Sequence, residues 1–310
     1  MGSARATGLL GTPVSRRRLR IVVLASPGSW YASDLQRAAG STAEVTLCAF
    51  EGLAARLGAL PGARVEAHAT DLAACDALLV RSMPPGTLEQ VIFRMDALGR
   101  AERQGTLVLN PPRSLEVAID KYLTLARICD AGLQVPPTVT CQSWSAAMRA
   151  FEELGGDVVV KPLFGSEGRG MTRVTDPALA LRAFKLLDQL GAVIYLQQFV
   201  PHYGYDLRVL VIGDQTLAMR RTNPADWRTN VSRGARTEAV ELEDGWIDMA
   251  RTAARAVGTP IAGVDLLPGR DGQMYVLEVN AVPGWKALAR TVRRDVARLV
   301  LDYVSERSHA

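Results

Sequence analysis

Asp265 and Glu278 are the first residues of this chain whose placement asks for a chemical reason. If Asp271-Gly272 closes a two-residue hairpin between strands at 261–267 and 274–279, pairing outward from the turn sets Asp265 directly opposite Glu278. Asn280 lies two residues beyond Glu278 and points the same way, while Val264, Leu266, Leu277 and Val279 take the other face and supply the core. Like charges opposed on a ladder repel unless a cation sits between them, and two carboxylates with an amide oxygen are hard ligands suited to magnesium. Pro268 disturbs the ladder near the turn, so the register is conditional. The competing reading is an exposed polar hairpin face, against which stands the position of Glu278 between Leu277 and Val279.

A second constellation is Lys161, at the end of a valine-rich strand, followed by Gly165-Ser166-Glu167-Gly168-Arg169-Gly170. Three glycines in six residues let successive N–H groups turn inward as an anion-binding nest, and a strand-end lysine adds a point charge for the same phosphates. Alone, this segment reads first as a plain glycine-rich turn. Lysine usage sharpens it, because the chain has four lysines (Lys121, Lys161, Lys185, Lys286) against 32 arginines. Lys121 follows Asp120 in a helical stretch, where a solvated lysine and a phosphate contact are both open. Arg220, Arg228 and Arg233, grouped with Asn230 in a polar segment, are candidates for forked contacts to acid substrates or are solvated loop arginines.

The elements that must carry these residues begin with a strand at 21–25, a helix at 32–39, a strand at 77–80, a helix at 87–103 and a strand at 107–109. Short apolar strands alternating with helices imply an α/β fold with a doubly wound parallel sheet. No GxGxxG follows the first strand and no GxxxxGK[ST] occurs, which disfavours Rossmann and Walker-type nucleotide sites. Ser114 is expected to cap one helix running to Ala131, ended by Gly132 and the extended Val135-Pro136-Pro137. Helices at 146–154 and 177–191 flank the strand at 158–161, and a strand at 193–200 follows. A hairpin at 207–212 and 216–219 turns at Gly213-Asp214. A helix at 247–257, the two carboxylate-bearing strands and one terminal helix at 287–304 complete the chain.

With 310 residues the prior is about two domains. A composition of 48% hydrophobic and 22% charged residues is that of a globular protein, and no apolar run approaches the length of a membrane span. The net charge of +4 comes from Arg5, Arg16, Arg17, Arg18 and Arg20 near the start, so the remainder is near neutral and no nucleic-acid footprint is expected. Four cysteines without a CxxC pair and three scattered histidines give no disulfide framework or zinc site. Ser15-Arg16-Arg17 precedes too short an apolar run for an export signal, so the expected compartment is the cytoplasm, without membrane attachment.

At this point the sequence resembles the ATP-grasp carboxylate-amine ligases, most closely the RimK-like branch that adds L-glutamate to proteins or cofactors. The marks run from about Ser114 to the C-terminus: Asp120-Lys121, Pro136-Pro137-Thr138, Val160-Lys161-Pro162 with the glycine loop, Gln197-Gln198-Phe199-Val200, Asp206-Leu207-Arg208, Trp227-Arg228-Thr229-Asn230, Gly263-Val264-Asp265 and Leu277-Glu278-Val279-Asn280 with Pro283-Gly284. The resemblance implies a tail at 1–18, a pre-ATP-grasp α/β domain at 19–113 and two ATP-grasp subdomains at 114–200 and 201–310. It implies that Lys121 and Lys161 touch ATP phosphates, that Gly165, Ser166, Glu167, Gly168 and Gly170 close over them as a lid, and that Gln198, Phe199 and Val200 border the adenine with Asp206 near the ribose. Asp265, Glu278 and Asn280 would hold Mg2+, two ions bridged by Glu278, with Mn2+ as an alternative. Arg208 and Lys161 would stabilise the transferring phosphoryl group, and Arg220, Arg228, Asn230 and Arg233 would bind acid substrates. The implied activity joins a carboxylate acceptor to an amino-acid donor, with ADP and phosphate as products. A small-molecule kinase and a nucleotide-binding module without turnover remain alternatives, and a homo-oligomer is open. One departure stands out: Gln198 occupies a position where relatives usually carry Glu.

Overall fold

The computed structural model describes residues 17–58, 64–165 and 169–308. Strand β1 (Leu19–Leu24) leads into helix α1 (Trp30–Ala39) and strand β2 (Ala43–Cys48). Three short strands, β3 (Leu53–Arg56), β4 (Arg64–Ala67) and β5 (Thr70–Asp71), form a small antiparallel sheet beside it. Strand β6 (Ala77–Val80), helix α2 (Leu88–Arg103) and strand β7 (Leu107–Leu109) follow. The main sheet is parallel with order β2-β1-β6-β7, as the alternation of elements implied. Strands covered on both faces read as unbroken apolar runs, which is why β1 and β6 were visible in the sequence. Strands β3 to β5, of two to four residues, are too short to show a pattern, and β2 alternates Ala43, Val45 and Leu47 with Glu44 and Thr46, a signal that a search for unbroken apolar runs passes over.

The single helix expected from Ser114 to Ala131 is two helices, α3 (Pro112–Ile119) and α4 (Lys121–Asp130). Asp120 separates them. Its extended backbone and its carboxylate, accepting from Leu123 N at 3.0 Å, make it the N-cap of α4. Ser114 lies inside α3 and donates to Pro111 O at 2.8 Å, so it caps nothing. Lys121 is thereby the first residue of a helix instead of an interior one.

A second sheet contains β8 (Thr138–Cys141), β9 (Val158–Lys161), β10 (Thr172–Val174) and β11 (Ile194–Gln198) in the order β10-β9-β11-β8, antiparallel throughout. Helices α5 (Trp144–Glu153) and α6 (Pro177–Gln189) pack on one face of it through Phe151 and Phe184. The third sheet joins β12 (Tyr205–Ile212), β13 (Gln215–Thr222), β14 (Arg236–Ala239), β15 (Ile261–Pro268) and β16 (Met274–Asn280) in the order β14-β13-β12-β15-β16. Helix α7 (Asp244–Val257) covers one face of that sheet. The expected terminal helix is also two, α8 (Lys286–Val292) and α9 (Val296–Ser308), because Arg293 takes a left-handed conformation at φ 53° that ends the first. Leu301 and Val304 of α9 join the core that α1 forms on the parallel sheet.

The carboxylate register came out as expected through two departures that cancel. Gly269 N donates to Gln273 O and Pro268 pairs with Met274, so the turn holds three residues, Arg270-Asp271-Gly272, and not two. A bulge between Asp265 and Leu266 then restores the count, and Asp265 faces Glu278. The extra residue is Leu277. Val276 takes the core position assigned to it, and Leu277 turns to the cleft.

Of the basic tail, Arg17 pairs with Asp76 and Arg18 donates to Gly40 O, while residues 1–16 lie outside the described residues. Among the described residues all four cysteines are free, and no helix is long and apolar enough to cross a membrane.

Candidate active site

The two antiparallel sheets and the parallel-sheet region enclose a cleft of about 810 Å³. Asp265 on β15 and Glu278 on β16, paired across the third sheet, line its floor, and Arg208 on β12 pairs with Asp265 without itself forming part of the cleft wall. Arg208 donates to Asp265 Oδ1 at 2.6 Å. Gly263, on the next row, keeps room for this: a Cβ there would stand 2.7 Å from Arg208 Cζ. Although burial opposes it, the guanidiniums of Arg208 and Arg221 hold the Asp265 carboxyl below its usual range. Glu278 behaves oppositely. Burial and then the charge of Asp265 push its pKa up, against Arg208, Lys121 and Lys161.

Asp206 and Arg221 form the adjoining row. Arg221 makes a forked contact with both Asp206 oxygens, at 2.7 and 2.5 Å, and also reaches Asp265 Oδ2 at 3.0 Å. Burial disfavours its charge, but the two carboxylates hold its pKa above the ordinary value. Arg221 escaped the sequence reading although the signal was present. The hairpin turning at Gly213-Asp214 sets Asp206 opposite Arg221 by the same outward pairing used for Asp265 and Glu278.

The two lysines enter from the opposite wall. Lys161 ends β9 opposite Tyr195, and its Nζ donates to Gln197 Oε1 at 2.5 Å; Gln197 in turn donates to Thr138 Oγ1 at 2.9 Å. Burial brings the Lys161 pKa down to about 8, with Lys121 acting in the same direction and Glu278 and Asp265 opposing. Lys121 donates to Gly165 O at 2.8 Å and Leu163 O at 3.4 Å, and burial lowers its pKa against Glu278 and Asp120. Gly165 lines the cleft at φ 141° and Gly170 lies at φ 72°, conformations that favour glycine. Ser166, Glu167 and Gly168 lie outside the described residues.

Gln198, Phe199 and Val200 border the cleft beside His202, Leu267 and Leu277. The Gln198 amide points out of it, donating to Leu154 O at 3.3 Å, a bond that a carboxylate could not make. Phe199 lies edge-on to Trp227 and carries Arg173 at 3.5 Å over its ring. Arg228 and Asn230 line the cleft, Arg228 held by Asp226 at 2.7 Å. Arg220 does not. It sits on the other face of β13 from Arg221, bound to Glu238 and lying over Tyr205. Arg233 follows in a short turn and is also absent from the cleft wall. Sequence reasoning missed Tyr195, Gln197 and His202 as cleft residues; alternation from Lys161's strand neighbour would have found the first two.

Among the described residues no three or more His, Cys, Asp or Glu side chains cluster as a metal site. What is present suits a magnesium ion shared with phosphate oxygens: one raised-pKa carboxylate facing another, with the Asn280 amide on the same strand face. The Asn280 oxygen also accepts from Val282 N at 2.8 Å, which orients it.

Two antiparallel sheets closing on a cleft with lysines on one side and carboxylates on the other define an ATP-grasp enzyme, of the ATP-dependent ligase class. The chain belongs to the RimK-like ATP-grasp domain family, whose model matches residues 118–304. It is 32% identical to the tetrahydromethanopterin:alpha-L-glutamate ligase of Methanosarcina acetivorans over 74% of this chain and 79% of that one. It is 32% identical to a probable alpha-L-glutamate ligase of Haemophilus influenzae, covering 66% of this chain and 68% of the relative. Among solved structures, the ATP-grasp ligase PsnB complexed with minimal precursor superposes with a TM-score of 0.75 at 26% identity, over 94% of this chain and 100% of that one. PsnB with minimal precursor, Mg and ADP gives 0.72 at 25% identity, over 93% and 97%.

Proposed function

We propose that the protein is a Mg-ATP-dependent ligase that activates an acceptor carboxylate as an acyl phosphate and joins it to the amino group of an amino acid, L-glutamate by analogy with the named relatives. The observation that carries this reading is the opposition across one cleft of Lys121 and Lys161 to Asp265 and Glu278. Such a site can hold a polyphosphate with its cation and has charge of both signs where phosphoryl transfer needs it.

In this reading the nucleotide base lies against Phe199, Val200 and Leu277, and Lys161 and Lys121 meet the phosphates. Asp265, Glu278 and Asn280 would hold a magnesium ion, which would supply neutralisation of phosphate charge. Asp206, which lines the cleft beside Val200, is proposed to lie near the ribose, oriented by the forked contact from Arg221. An acceptor carboxylate oxygen attacks the terminal phosphorus of ATP, the bond to ADP breaks, and Arg208 lies beside the developing charge. The donor amine then attacks the acyl carbon, phosphate leaves, and the amine loses a proton as the amide forms. Arg228 and Asn230, which line the cleft, are the proposed contacts for acid groups of the substrates.

The test is to incubate the protein with ATP, Mg2+, glutamate and a cell extract, following ADP, phosphate and product mass. Glutamate-dependent ADP release with one glutamyl increment on an acceptor is the expected result. A phosphorylated product that persists with glutamate present would identify a kinase, and nucleotide binding without ADP would identify a binding module.

A further inference from the structure

Lys161, Tyr195, Gln197 and Thr138 share one face of the second sheet. Lys161 pairs with Tyr195 between β9 and β11, Gln197 lies two residues further along β11, and Gln197 is itself paired with Thr138 on β8. The alternate residues Val160, Leu196 and Val139 take the other face, in one core with Phe151 of α5 and Phe184 of α6. The cleft face therefore carries a row of polar side chains, and the Gln197 amide, 3% exposed, has to find its partners within that row.

One hydroxyl orders those partners. Thr138 Oγ1 donates its single proton to Pro136 O at 2.8 Å, so toward Gln197 it can only accept. Gln197 Nε2 donates to it at 2.9 Å, which turns the other end of the amide, Oε1, to Lys161. Lys161 Nζ donates to that oxygen at 2.5 Å. With the amide reversed, an NH2 group would face the ammonium, donor against donor. Thr138 thus settles, through Gln197, what Lys161 meets. The far end of the series is itself held, because the adjacent Pro137 O accepts from Gln198 N at 2.8 Å.

The charge of the acceptor matters as much as its place. A neutral amide oxygen orients an ammonium without neutralising it and leaves the remaining N–H groups for a ligand. Burial brings the Lys161 pKa down to about 8; Lys121 on α4 acts with burial, and Glu278 on β16 and Asp265 on β15 act against it. A hydrogen bond that favours the charged form offsets part of that cost.

We propose that Thr138 and Gln197 are positioning residues for Lys161, holding its ammonium charged and set in the cleft before nucleotide arrives. The proposal rests on the reading that Lys161 meets the phosphates of ATP.

The test measures the affinity of the full chain for a non-hydrolysable ATP analogue with Mg2+, by calorimetry between about pH 7 and 10, alongside the unfolding temperature. Thr138→Val keeps the shape of the side chain and loses the hydroxyl. It is expected to weaken binding about fivefold near pH 7 and to move the midpoint, above which affinity falls, down by about half a pH unit. Thr138→Ser is expected to match the native protein in both. Gln197→Glu is expected to weaken binding about tenfold yet move the midpoint up by about one unit, because a carboxylate there would neutralise the ammonium and retain its proton. It reads the same midpoint should Thr138→Val fail to fold. In a Lys161→Met background, Thr138→Val is expected to change affinity no further. A midpoint unmoved by Thr138→Val and Gln197→Glu, or an equal loss from Thr138→Val with and without Lys161, would overturn the proposal, whatever the unfolding temperature does. If Lys161→Met alone binds the analogue as tightly as the native protein, the phosphate reading fails and takes the proposal with it.

Discussion

Glu278 and Lys161 hold the opposite charges of the cleft in states that each pays for in the folded protein, and each yields a prediction. The Glu278 pKa is raised, so folding favours its protonated form: stability from this group is present at low pH and lost as pH rises through its folded pKa. Above the ordinary carboxylate range this group therefore weakens the fold. Glu278→Gln should leave the unfolding temperature unchanged or higher, while turnover falls by about 10³-fold or more as the phosphates lose their cation. Mg2+ with nucleotide should raise the unfolding temperature of the native protein more than that of the variant; equal stabilisation would remove Glu278 from the metal site. Lys161 has the complementary shift, from 10.5 to about 8. Its depressed pKa makes the fold less stable as pH falls through 8, and its charge is lost to nucleotide binding as pH rises through the same value. Affinity for an ATP analogue, measured by calorimetry, should be flat from about pH 7 to 8 and fall by up to about tenfold per unit above. Lys161→Met should bind more weakly and without that slope; a slope surviving in Lys161→Met would assign the titration elsewhere.

At the scale of the elements, the third sheet places five charged side chains by cross-strand pairing alone, and the pairing was partly legible in the sequence. Asp265 opposite Glu278 follows from a hairpin, and although the turn holds one residue more than expected, the bulge at Leu277 absorbs the difference. Nothing in the local sequence announces that bulge; it is fixed by Val276 and Val279 both entering the core over α7. The break between α3 and α4 was readable, since Asp120 is a good N-cap, but continuous helical periodicity across it hid the boundary. Gly263 offers the direct test of the sheet's role. Gly263→Ala places a methyl where Arg208 now passes, and the strand is otherwise regular, so the protein should fold with a loss of about 1–2 kcal/mol. Arg208 should leave Asp265, and turnover should drop more than tenfold with nucleotide affinity nearly unchanged. If kcat is unaffected, Arg208 is not positioned by this gap.

Over the whole molecule, the parallel sheet is tied to the carboxylate-bearing strands at Asn110, just after β7. Its Nδ2 donates to Ile261 O at 2.7 Å and to Ala281 O at 2.5 Å, and its Oδ1 accepts from Ile261 N at 3.0 Å. One buried side chain thus holds the start of β15 against the end of β16, four residues before Asp265 and three after Glu278. Nearby, Arg81 just after β6 donates to Pro283 O at 2.5 Å and lies 4.1 Å over the Trp285 ring, and burial lowers its pKa to about 10. These ties could not be read from sequence, because they join residues more than 150 positions apart and depend on how the sheets stack. Asn110→Ala would leave Ile261 N and Ala281 O without their Asn110 partner in the interior, while Ile261 O keeps Thr259 Oγ1 at 3.2 Å, a loss of about 2 kcal/mol. The distinguishing consequence is functional. Below its unfolding temperature the variant should bind naked ATP through Lys121 and Lys161 almost normally, yet respond weakly to Mg2+, because the strands carrying Asp265, Glu278 and Asn280 are no longer held in register from both ends. Calorimetric titration of nucleotide with and without Mg2+ separates the two. A variant that is destabilised but keeps the full Mg2+ response would mean that Asn110 serves only the stability of the fold, and that the hairpin holds the carboxylates in place without help from the parallel sheet.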